Sequence, residues 1–327
     1  MVSSAIEVSG LTKRFRSVLA LDRVDFTVPA GTVFGLLGPN GAGKTTAIRV
    51  LTTLLRPDAG TARILGIDVV QDAAAVRRHI GMAGQYAAVD EHLTGRENLR
   101  LMGRLAQLPR WEFRPRADAL LERFGLAQAA SRPVRTYSGG MRRRLDVAAA
   151  LVARPPVLFF DEPTTGLDLI SRGELWAVIR ELVTDGTTVL LTTQYLEEAD
   201  RLAGRIAVID RGRVIADDTP AALKARLGST VIEFGMADEQ AAVRAAELLA
   251  QRGTAPERDG SRVRLTSNDG SAVLIDAMHD LDSARLRPTG VQVREPSLDD
   301  VFLLLTGHHA EEETAVGDSQ PVAMGAA

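Results

Sequence analysis

The residues with the clearest chemistry form a glycine-rich loop at positions 38–45, Gly38-Pro39-Asn40-Gly41-Ala42-Gly43-Lys44-Thr45. The loop follows a short apolar segment and precedes a segment with helical spacing. Backbone N–H groups of such a loop can surround phosphate oxygens, and the N-terminus of the following helix favours an anion. Lys44 can supply a cation to the β- and γ-phosphates, and the Thr45 hydroxyl can coordinate Mg²⁺. The loop and the adjacent Thr46 therefore predict a nucleotide site, whereas a plain glycine-rich turn is the disfavoured alternative.

Two adjacent carboxylates follow a second strand-like segment. Residues 157–160 are all apolar and predict a buried strand, and Asp161 and Glu162 come directly after it. Successive strand side chains point to opposite sides, so we expect Asp161 to face Mg²⁺ and Glu162 to face an attacking water. Acids before a proline also end many strands without a chemical role. The phosphate loop favours the functional interpretation, with Asp161 as metal ligand and Glu162 as general base.

Alternating strands and helices must position these groups. Residues 1–228 show strand patterns followed by helical patterns, which predicts an α/β domain with a largely parallel sheet. Helical spacing replaces the strand pattern between about 86 and 150, which indicates a helical subdomain. Residues 229–310 predict a small accessory α/β domain, and residues 311–327 predict a disordered tail because they offer little to bury.

Composition excludes several classes of protein. The 39 basic and 42 acidic residues give a net charge of -3, which removes the broad positive field of a dedicated nucleic-acid binder. The sequence has 0 cysteines, so disulfides, thiolate metal sites and cysteine nucleophiles are excluded. No apolar run approaches the roughly 18 residues that span a bilayer, and the first residues lack a secretory pattern. We therefore expect a cytoplasmic protein whose membrane role, if it has one, requires a partner.

Residues 137–141, Tyr-Ser-Gly-Gly-Met, resemble the signature segment of the ATP-binding subunits of ABC transporters. The resemblance extends over residues 1 to about 225 and implies a P-loop NTPase fold of the ABC ATPase type. It also implies that Ser138, Gly139 and Gly140 bind the γ-phosphate held by a second copy of the chain, at a helix N-terminus. Two ATP molecules are then expected between two copies.

Three further positions match this family. Gln85 is similar to the Q-loop glutamine that senses Mg²⁺ and contacts the membrane partner. Asp168, in Gly166-Leu167-Asp168, resembles the D-loop. Phe15 lies where the family places an aromatic side chain that stacks on adenine, and an ordinary core phenylalanine is the alternative.

One position departs from the family pattern. After the strand-like residues 188–192, where the family usually has a switch histidine, this chain has Gln194. A glutamine amide can donate a hydrogen bond to the γ-phosphate, but it cannot carry a proton or a positive charge. Since Glu162 is present, we predict slow hydrolysis, with Glu162, Gln194 and Gln85 as the catalytic group.

The residues around Gln85, Gln194 and the run at 295–302 are together most similar to the daunorubicin/doxorubicin-resistance type of these subunits. This resemblance implies an ATP-hydrolysing subunit of a drug or antibiotic exporter that uses ATP and Mg²⁺. It implies a separate membrane-spanning permease, a second copy of the chain, a place at the cytoplasmic face of the membrane, and no nucleic acid. The alternatives are a soluble ABC ATPase acting on nucleic acid or ribosomes, and a subunit that moves a lipid or another substrate.

The remaining polar clusters have structural interpretations. Residues 142–144 are three arginines, which we interpret as a solvated helix face or as partners of nearby acids rather than as a DNA contact. Glu197, Glu198 and Asp200 are expected to solvate the outer face of a helix. The histidines have no metal-like spacing.

Overall fold

The fold is given by a computed structural model that describes residues 4–84, 89–227, 230–251 and 255–306. The chain divides into two compact units, the first ending at Asp218 and the second beginning at Thr219. The strands of the first unit are β1 (Ser4–Phe15), β2 (Val18–Pro29), β3 (Val33–Leu37), β4 (Ala59–Ile64), β5 (Ile67–Asp68), β6 (Ile80–Ala83), β7 (Val157–Asp161), β8 (Thr188–Thr193), β9 (Arg205–Asp210) and β10 (Arg213–Asp218). Its α-helices are α1 (Lys44–Leu51), α2 (Ala73–His79), α3 (Gly95–Leu105), α4 (Arg110–Arg123), α5 (Gly139–Leu151), α6 (Leu169–Thr184) and α7 (Leu196–Leu202).

The larger sheet of the first unit has the strand order β10-β9-β3-β8-β7-β6. Strands β9, β3, β8, β7 and β6 pair in parallel, and β10 pairs antiparallel with β9. Every residue of β3, β7 and β8 is buried, as expected for parallel strands covered on both faces. The predicted α/β class with a largely parallel sheet is confirmed.

A second, antiparallel sheet supports the phosphate loop from one side. Its order is β2-β1-β4-β5, and its apolar side chains join α1 and β3 in one core cluster. Phe26 of β2 stacks on Phe34 of β3 with ring centroids 5.4 Å apart, and Ile48 of α1 belongs to the same cluster. Burial of these large side chains fixes α1, and therefore the loop before it, against both sheets.

The segment between β6 and β7 is helical. It holds α3, α4 and α5, with 3₁₀ turns at Ala127–Ala129 and Val134–Thr136. A capping box starts α3, because the Thr94 hydroxyl accepts from the Glu97 N–H while the Glu97 carboxylate accepts from the Thr94 N–H. The Tyr137 hydroxyl donates to the Ala129 carbonyl at 2.7 Å, which fixes the chain just before α5. In the part of the chain that the structure describes, no helix is both long enough and apolar enough to cross a membrane.

The second unit is a four-stranded antiparallel sheet with helices. Its elements are α8 (Pro220–Ala225), β11 (Thr230–Gly235), α9 (Glu239–Ala250), β12 (Glu257–Asp259), β13 (Arg262–Ser267), α10 (Gly270–Ser283), β14 (Gly290–Arg294) and α11 (Leu298–Thr306). The strand order is β12-β13-β11-β14, and apolar residues of β11 and β13 pack with α9 and α10. The buried Asp300 carboxylate of α11 accepts two hydrogen bonds from Arg294 of β14, at 2.6 and 2.9 Å. This pair ties α11 to the edge of the sheet.

Candidate functional site

The phosphate loop connects β3 to α1 at the carboxyl end of the parallel sheet. β3 ends at Leu37 and α1 begins at Lys44, so residues 38–43 form the connection. Gly43 has a φ angle of 111°, and a Cβ atom there would lie 2.5 Å from the Ala20 carbonyl oxygen of β2. L-residues rarely adopt this φ, and the close carbonyl leaves no room for a side chain. The position requires glycine, and it brings the loop against β2.

The middle of the phosphate loop is exposed to solvent, and its two ends are buried. Asn40 and Gly41 are exposed, Pro39 is half-buried, and Gly38, Ala42, Gly43 and Lys44 are buried. Thr45 and Thr46 follow in the first turn of α1 and are half-buried. This arrangement suits a loop that binds an anion from solvent, since Asn40 and Gly41 can contact the anion while the buried residues stay in place.

Lys44 carries its ammonium group inside the loop. Its Nζ donates to the Gly38 carbonyl at 2.6 Å and to the Pro39 carbonyl at 3.0 Å, and it lies 3.9 Å from Glu162 Oε1. Burial lowers the pKa of Lys44, and the nearby Glu162 and Asp161 carboxylates oppose that shift. The loop therefore holds a partly desolvated cation next to two acids, and phosphate oxygens are suitable acceptors for it.

Asp161 is the last residue of β7 and lies 3% exposed beside α1. Its Oδ1 accepts from the Thr45 hydroxyl at 3.2 Å and from the Thr192 hydroxyl of β8 at 2.6 Å. β7 and β8 pair with Asp161 opposite Thr192, so the sheet register itself places that hydroxyl. The structure thus brings together Thr45 and Asp161, two of the three residues predicted at the Mg²⁺ site, of which Gln85 lies outside the described residues. It also adds Thr192, which sequence reasoning missed.

The donor atoms at this point fit a magnesium ion. Thr45 and Asp161 offer a hydroxyl and a carboxylate oxygen, and Mg²⁺ prefers few protein oxygens completed by water and substrate phosphates. The described residues contain no group of three or more His, Cys, Asp or Glu side chains that could hold a metal without help. Thr45 and Asp161 together offer oxygen atoms of the kind that Mg²⁺ binds in proteins.

Glu162 lies just beyond the strand, in an unusual backbone conformation. β7 ends at Asp161, and Glu162 has a positive φ of 50°. Its N–H donates to the carbonyl and to the hydroxyl of Thr192, each at 3.1 Å, and its Oε2 accepts from Thr165 at 3.4 Å. The expectation that strand alternation separates the two acids is wrong, because Glu162 is not a strand residue. From this left-handed backbone position, the Glu162 carboxylate lies beside the Lys44 ammonium group.

Gln194 lies at the same edge of the sheet. It directly follows β8, two residues after Thr192, and it is half-buried. The Thr193 hydroxyl accepts from the Tyr195 N–H at 2.9 Å, which fixes the turn that carries Gln194 into α7. The side chain is thus placed beyond the end of the strand that neighbours Asp161.

Ser138, Gly139, Gly140 and Asp168 occupy helix N-termini. The Ser138 hydroxyl accepts from the Met141 N–H and caps α5, whose first turn contains both glycines. Asp168 caps α6, and hydrogen bonds from Ser171 lower its pKa. Among the described residues, no hydrogen bond or ion pair joins residues 138–140 or Asp168 to the phosphate loop.

Phe15 and Gln85 complete the set of predicted site residues. Phe15 ends β1 and is 45% exposed, with the Lys13 ammonium 5.7 Å from its ring centroid. The alternative of a core phenylalanine is therefore wrong, and adenine stacking stays a prediction. Gln85 lies outside the described residues. Strand β6 ends two residues before it, at Ala83, which pairs with Phe160 of β7.

The three arginines at 142–144 do not share one environment. Arg142 pairs with Glu91 at 2.9 Å and Arg144 pairs with Glu174 at 2.8 Å, as the acid-pairing interpretation expects. Arg143 is different, because its side chain is only 11% exposed. Its Nε donates to the carbonyl of Pro163, immediately after Glu162. Sequence reasoning missed this contact, since consecutive arginines on a helix give no sign of which one turns inward.

The expectation that Glu198 solvates a helix face is wrong. Glu198 is 0% exposed, and its carboxyl accepts from the Thr164 hydroxyl at 3.2 Å and from the Trp176 indole N–H at 3.1 Å. Burial raises the pKa of Glu198, and hydrogen bonds including these two oppose the rise. Helical spacing could have revealed this, because Glu198 and the buried Leu202 are four residues apart on one face.

Comparison with known proteins agrees with this geometry. Residues 21–165 match the family model described as "ABC transporter". The chain is 52% identical over 312 residues to the "Daunorubicin/doxorubicin resistance ATP-binding protein DrrA" of Streptomyces peucetius. That alignment covers 95% of this chain and 94% of the relative.

Solved structures of the same kind share the fold. "Structure of ATP binding subunit of ABC transporter" matches with a TM-score of 0.63 and 29% identity, and covers 68% of this chain and 92% of that one. "Dimeric structure of a post-hydrolysis state of the ATP-binding cassette MJ0796 bound to ADP and Pi" matches with a TM-score of 0.61 and 26% identity, and covers 65% of this chain and 98% of that one. The chain belongs to the ATP-binding proteins of ABC transporters, in the group of the daunorubicin and doxorubicin resistance proteins.

Proposed function

We propose that this chain hydrolyses ATP to power the export of an anthracycline-like drug through a separate membrane subunit. The ATPase activity follows from the family, and one structural observation supports its chemistry. Lys44, Thr45, Asp161 and Glu162 meet at one edge of the sheet, with Thr45 Oγ1 3.2 Å from Asp161 and Lys44 Nζ 3.9 Å from Glu162. The drug class is supported by the 52% identical relative, whose name gives daunorubicin and doxorubicin resistance.

Phosphate binding is assigned to the loop and Lys44. The Lys44 ammonium now donates to two loop carbonyls, and in the ATP complex it would donate to the β- and γ-phosphate oxygens. Thr45 and Asp161 would hold Mg²⁺, which supplies neutralisation of the phosphate charge when it is bound. Phe15, exposed at the end of β1, is the proposed contact for adenine.

Hydrolysis is assigned to Glu162. Its carboxylate would accept a proton from water as the water oxygen bonds to the γ-phosphorus, and the bond to the ADP oxygen breaks. The Gln194 amide would donate a hydrogen bond to the γ-phosphate, and Gln85 is the proposed link between the metal site and the membrane subunit. Since Gln194 cannot carry a charge, we expect slow turnover.

The predicted ATP contacts outside the phosphate loop, residues 138–140 and Asp168, support a dimer. Ser138 and Asp168 cap α5 and α6, and Gly139 and Gly140 lie in the first turn of α5. In the described part of the chain, none of these four residues makes a hydrogen bond to the phosphate loop. We propose that they bind the nucleotide of a second copy, so that two ATP molecules close two chains together. Hydrolysis would remove the γ-phosphate contacts and shift the pair towards the open state. The permease, at whose cytoplasmic face the pair would sit, responds to that change.

The test measures ATPase activity of the full chain alone and with the membrane protein that co-purifies with it. Glu162→Gln is the blank, and we expect its kcat to fall by about 10²–10⁴-fold, the usual contribution of a general base. Added daunorubicin should stimulate the wild-type complex and leave the chain alone unchanged. Stimulation by nucleic acid or ribosomes, without any effect of the membrane protein, would contradict the exporter function.

A further inference from the structure

The Arg143 guanidinium is bonded to the backbone that carries the hydrolytic carboxylates. Its Nε donates to the Pro163 carbonyl at 2.7 Å. Its Nη2 donates to the Asp161 carbonyl at 3.4 Å and to the Glu162 carbonyl at 3.3 Å. Three consecutive carbonyl groups, on both sides of the proposed general base, therefore accept from one side chain.

The other end of the guanidinium reaches two further segments. Nη1 donates to the Gly84 carbonyl and, at 3.3 Å, to the Asp146 carboxylate. Gly84 directly precedes Gln85 in the sequence, and Asp146 is a buried residue of α5. An arginine has five N–H donors, and all five of those of Arg143 have acceptors.

Arg143 belongs to α5, whose first turn carries the signature residues. Ser138 caps this helix and Arg143 follows five positions later, so the two move together with the helix. We propose that Arg143 is a positioning residue that couples the signature helix α5 to the Asp161–Glu162 segment and to the chain leading into Gln85. This inference rests on the proposed function, in which α5 of one copy contacts the nucleotide of the other.

The coupling runs through backbone atoms. When the N-terminus of α5 gains or loses the γ-phosphate of the partner's nucleotide, a shift of the helix moves the guanidinium. That shift changes the hydrogen bonds from Arg143 to the carbonyls of Asp161, Glu162 and Pro163 in the chain's own site. Each site would thereby respond to the nucleotide in the other, and the segment before Gln85 would follow the same movement.

The geometry requires arginine in particular. A lysine keeps the positive charge opposite Asp146, but its three N–H donors all sit on one nitrogen and cannot reach the five acceptors that the three nitrogens of Arg143 contact. Arg143→Lys is therefore the main test, because it preserves the buried charge pair while releasing several carbonyl contacts. Arg142→Lys and Arg144→Lys are matched controls, since these neighbours pair with Glu91 and Glu174 near the surface.

We expect Arg143→Lys in the full chain to lower kcat for ATP by at least about tenfold. The Kd of a non-hydrolysable ATP analogue with Mg²⁺ should stay near wild type, because among the described residues no hydrogen bond or ion pair joins Arg143 to the phosphate loop. The Tm should fall, because carbonyl groups around the guanidinium lose their donor. Both control variants should keep wild-type kcat. Combining Ser138→Ala with Arg143→Lys should give a smaller loss than the product of the two separate losses, because both act through α5.

Three results would overturn the coupling. They are an unchanged kcat in Arg143→Lys, a fall in kcat that is matched by an equal loss of analogue binding, and fully multiplicative losses in the double variant. The proposed function fails separately, if the wild-type chain hydrolyses ATP no faster than Glu162→Gln. If the wild type hydrolyses ATP and Arg143→Lys is equally active, only the role of Arg143 is contradicted, and the proposed function stands.

Discussion

Glu198 keeps a carboxyl group inside the protein, where the Thr164 hydroxyl and the Trp176 indole N–H donate to it. Burial raises its pKa above the ordinary glutamate value, and hydrogen bonds from Thr193, Trp176 and Thr164 reduce that rise. The folded chain therefore retains a proton on Glu198 over a pH range in which the unfolded chain has lost it. Because the unfolded state binds fewer protons there, the stability that this group contributes falls as pH rises from its ordinary pKa to the raised one.

Glu198→Gln should gain stability relative to the wild type as pH rises from about 4 to about 7, because an amide has no proton to lose. The measurement is the free energy of urea unfolding of both proteins across that range. Glu197→Gln is the matched control, since Glu197 is exposed and pairs with Arg201 on the other face of α7. If the difference in the free energy of unfolding between the wild type and Glu198→Gln does not change with pH, the pKa of Glu198 is not raised.

At the scale of secondary structure, the phosphate loop depends on one backbone conformation. Gly43→Ala places a Cβ atom against the Ala20 carbonyl at a φ of 111°. We expect loss of ATP binding and a stability loss of about 1–3 kcal/mol, the usual range for a strained backbone position. Calorimetric titration with ATP and thermal unfolding measure the two effects.

The control for this change lies in α6. Gly173 is exposed, and a Cβ atom there would meet no neighbour within 4 Å. Gly173→Ala should therefore keep ATP binding and raise stability by about 0.5–1 kcal/mol, because alanine favours the helix. Wild-type ATP affinity in Gly43→Ala would mean that the loop tolerates a side chain at that position.

The features that were predicted lie in continuous stretches of the sequence, whereas the contacts that were missed join residues far apart in the sequence. The phosphate loop and the Asp161–Glu162 pair are continuous stretches after apolar strands, so the sequence displays their residues together. Thr192 and Arg143 reach Asp161 from 31 and 18 positions away. Those contacts depend on strand register and on which arginine of α5 turns inward, and neither is written in local spacing.

The helix α11 is held by a carboxylate with a strongly shifted pKa. Burial by itself would raise the pKa of Asp300, but hydrogen bonds from Arg294 and Ser297 lower it to about 2. The pKa of the folded state lies below the ordinary 3.8, so Asp300 stabilises the protein above that value. The contribution is about 2 kcal/mol, and it is lost as pH falls through about 2.

Asp300→Asn should weaken α11 at neutral pH and make its stability less dependent on acid. Hydrogen exchange of the α11 amides in the full chain, between about pH 2 and pH 7, measures the local opening across the range in which Asp300 titrates. The neighbouring Asp299→Asn is the control, because Asp299 is exposed on the same helix. Equal protection of α11 in the wild type and in Asp300→Asn would contradict the role of this pair.

At the scale of the whole molecule, the proposed dimer explains an exposed apolar pair beside Asp168. Leu169 and Ile170 open α6 and are 80% and 78% exposed. Large apolar side chains exposed next to each other are typical of surfaces that become covered. Their place directly after a predicted ATP contact makes a second copy of the chain the expected cover.

We expect ATP to convert the Glu162→Gln chain from monomer to dimer, as measured by light scattering after gel filtration. Adding Ile170→Asp should prevent the dimer, because closure would bury a charge, while the Tm stays unchanged. Leu54→Asp is the control, since Leu54 is 67% exposed but is not near Asp168 in the sequence. A dimer that forms equally well with Ile170→Asp would remove this face from the interface.

The internal bonds of Lys44 have a consequence for the heat of nucleotide binding. Its ammonium already donates to the carbonyls of Gly38 and Pro39, so ATP must exchange those bonds for phosphate bonds rather than create new ones. The enthalpy gained at this residue is therefore a difference between two good acceptors, and it is much smaller than a lysine–phosphate contact would suggest. At Lys44, phosphate oxygens therefore compete with two carbonyl oxygens of the protein's own backbone for the same ammonium group.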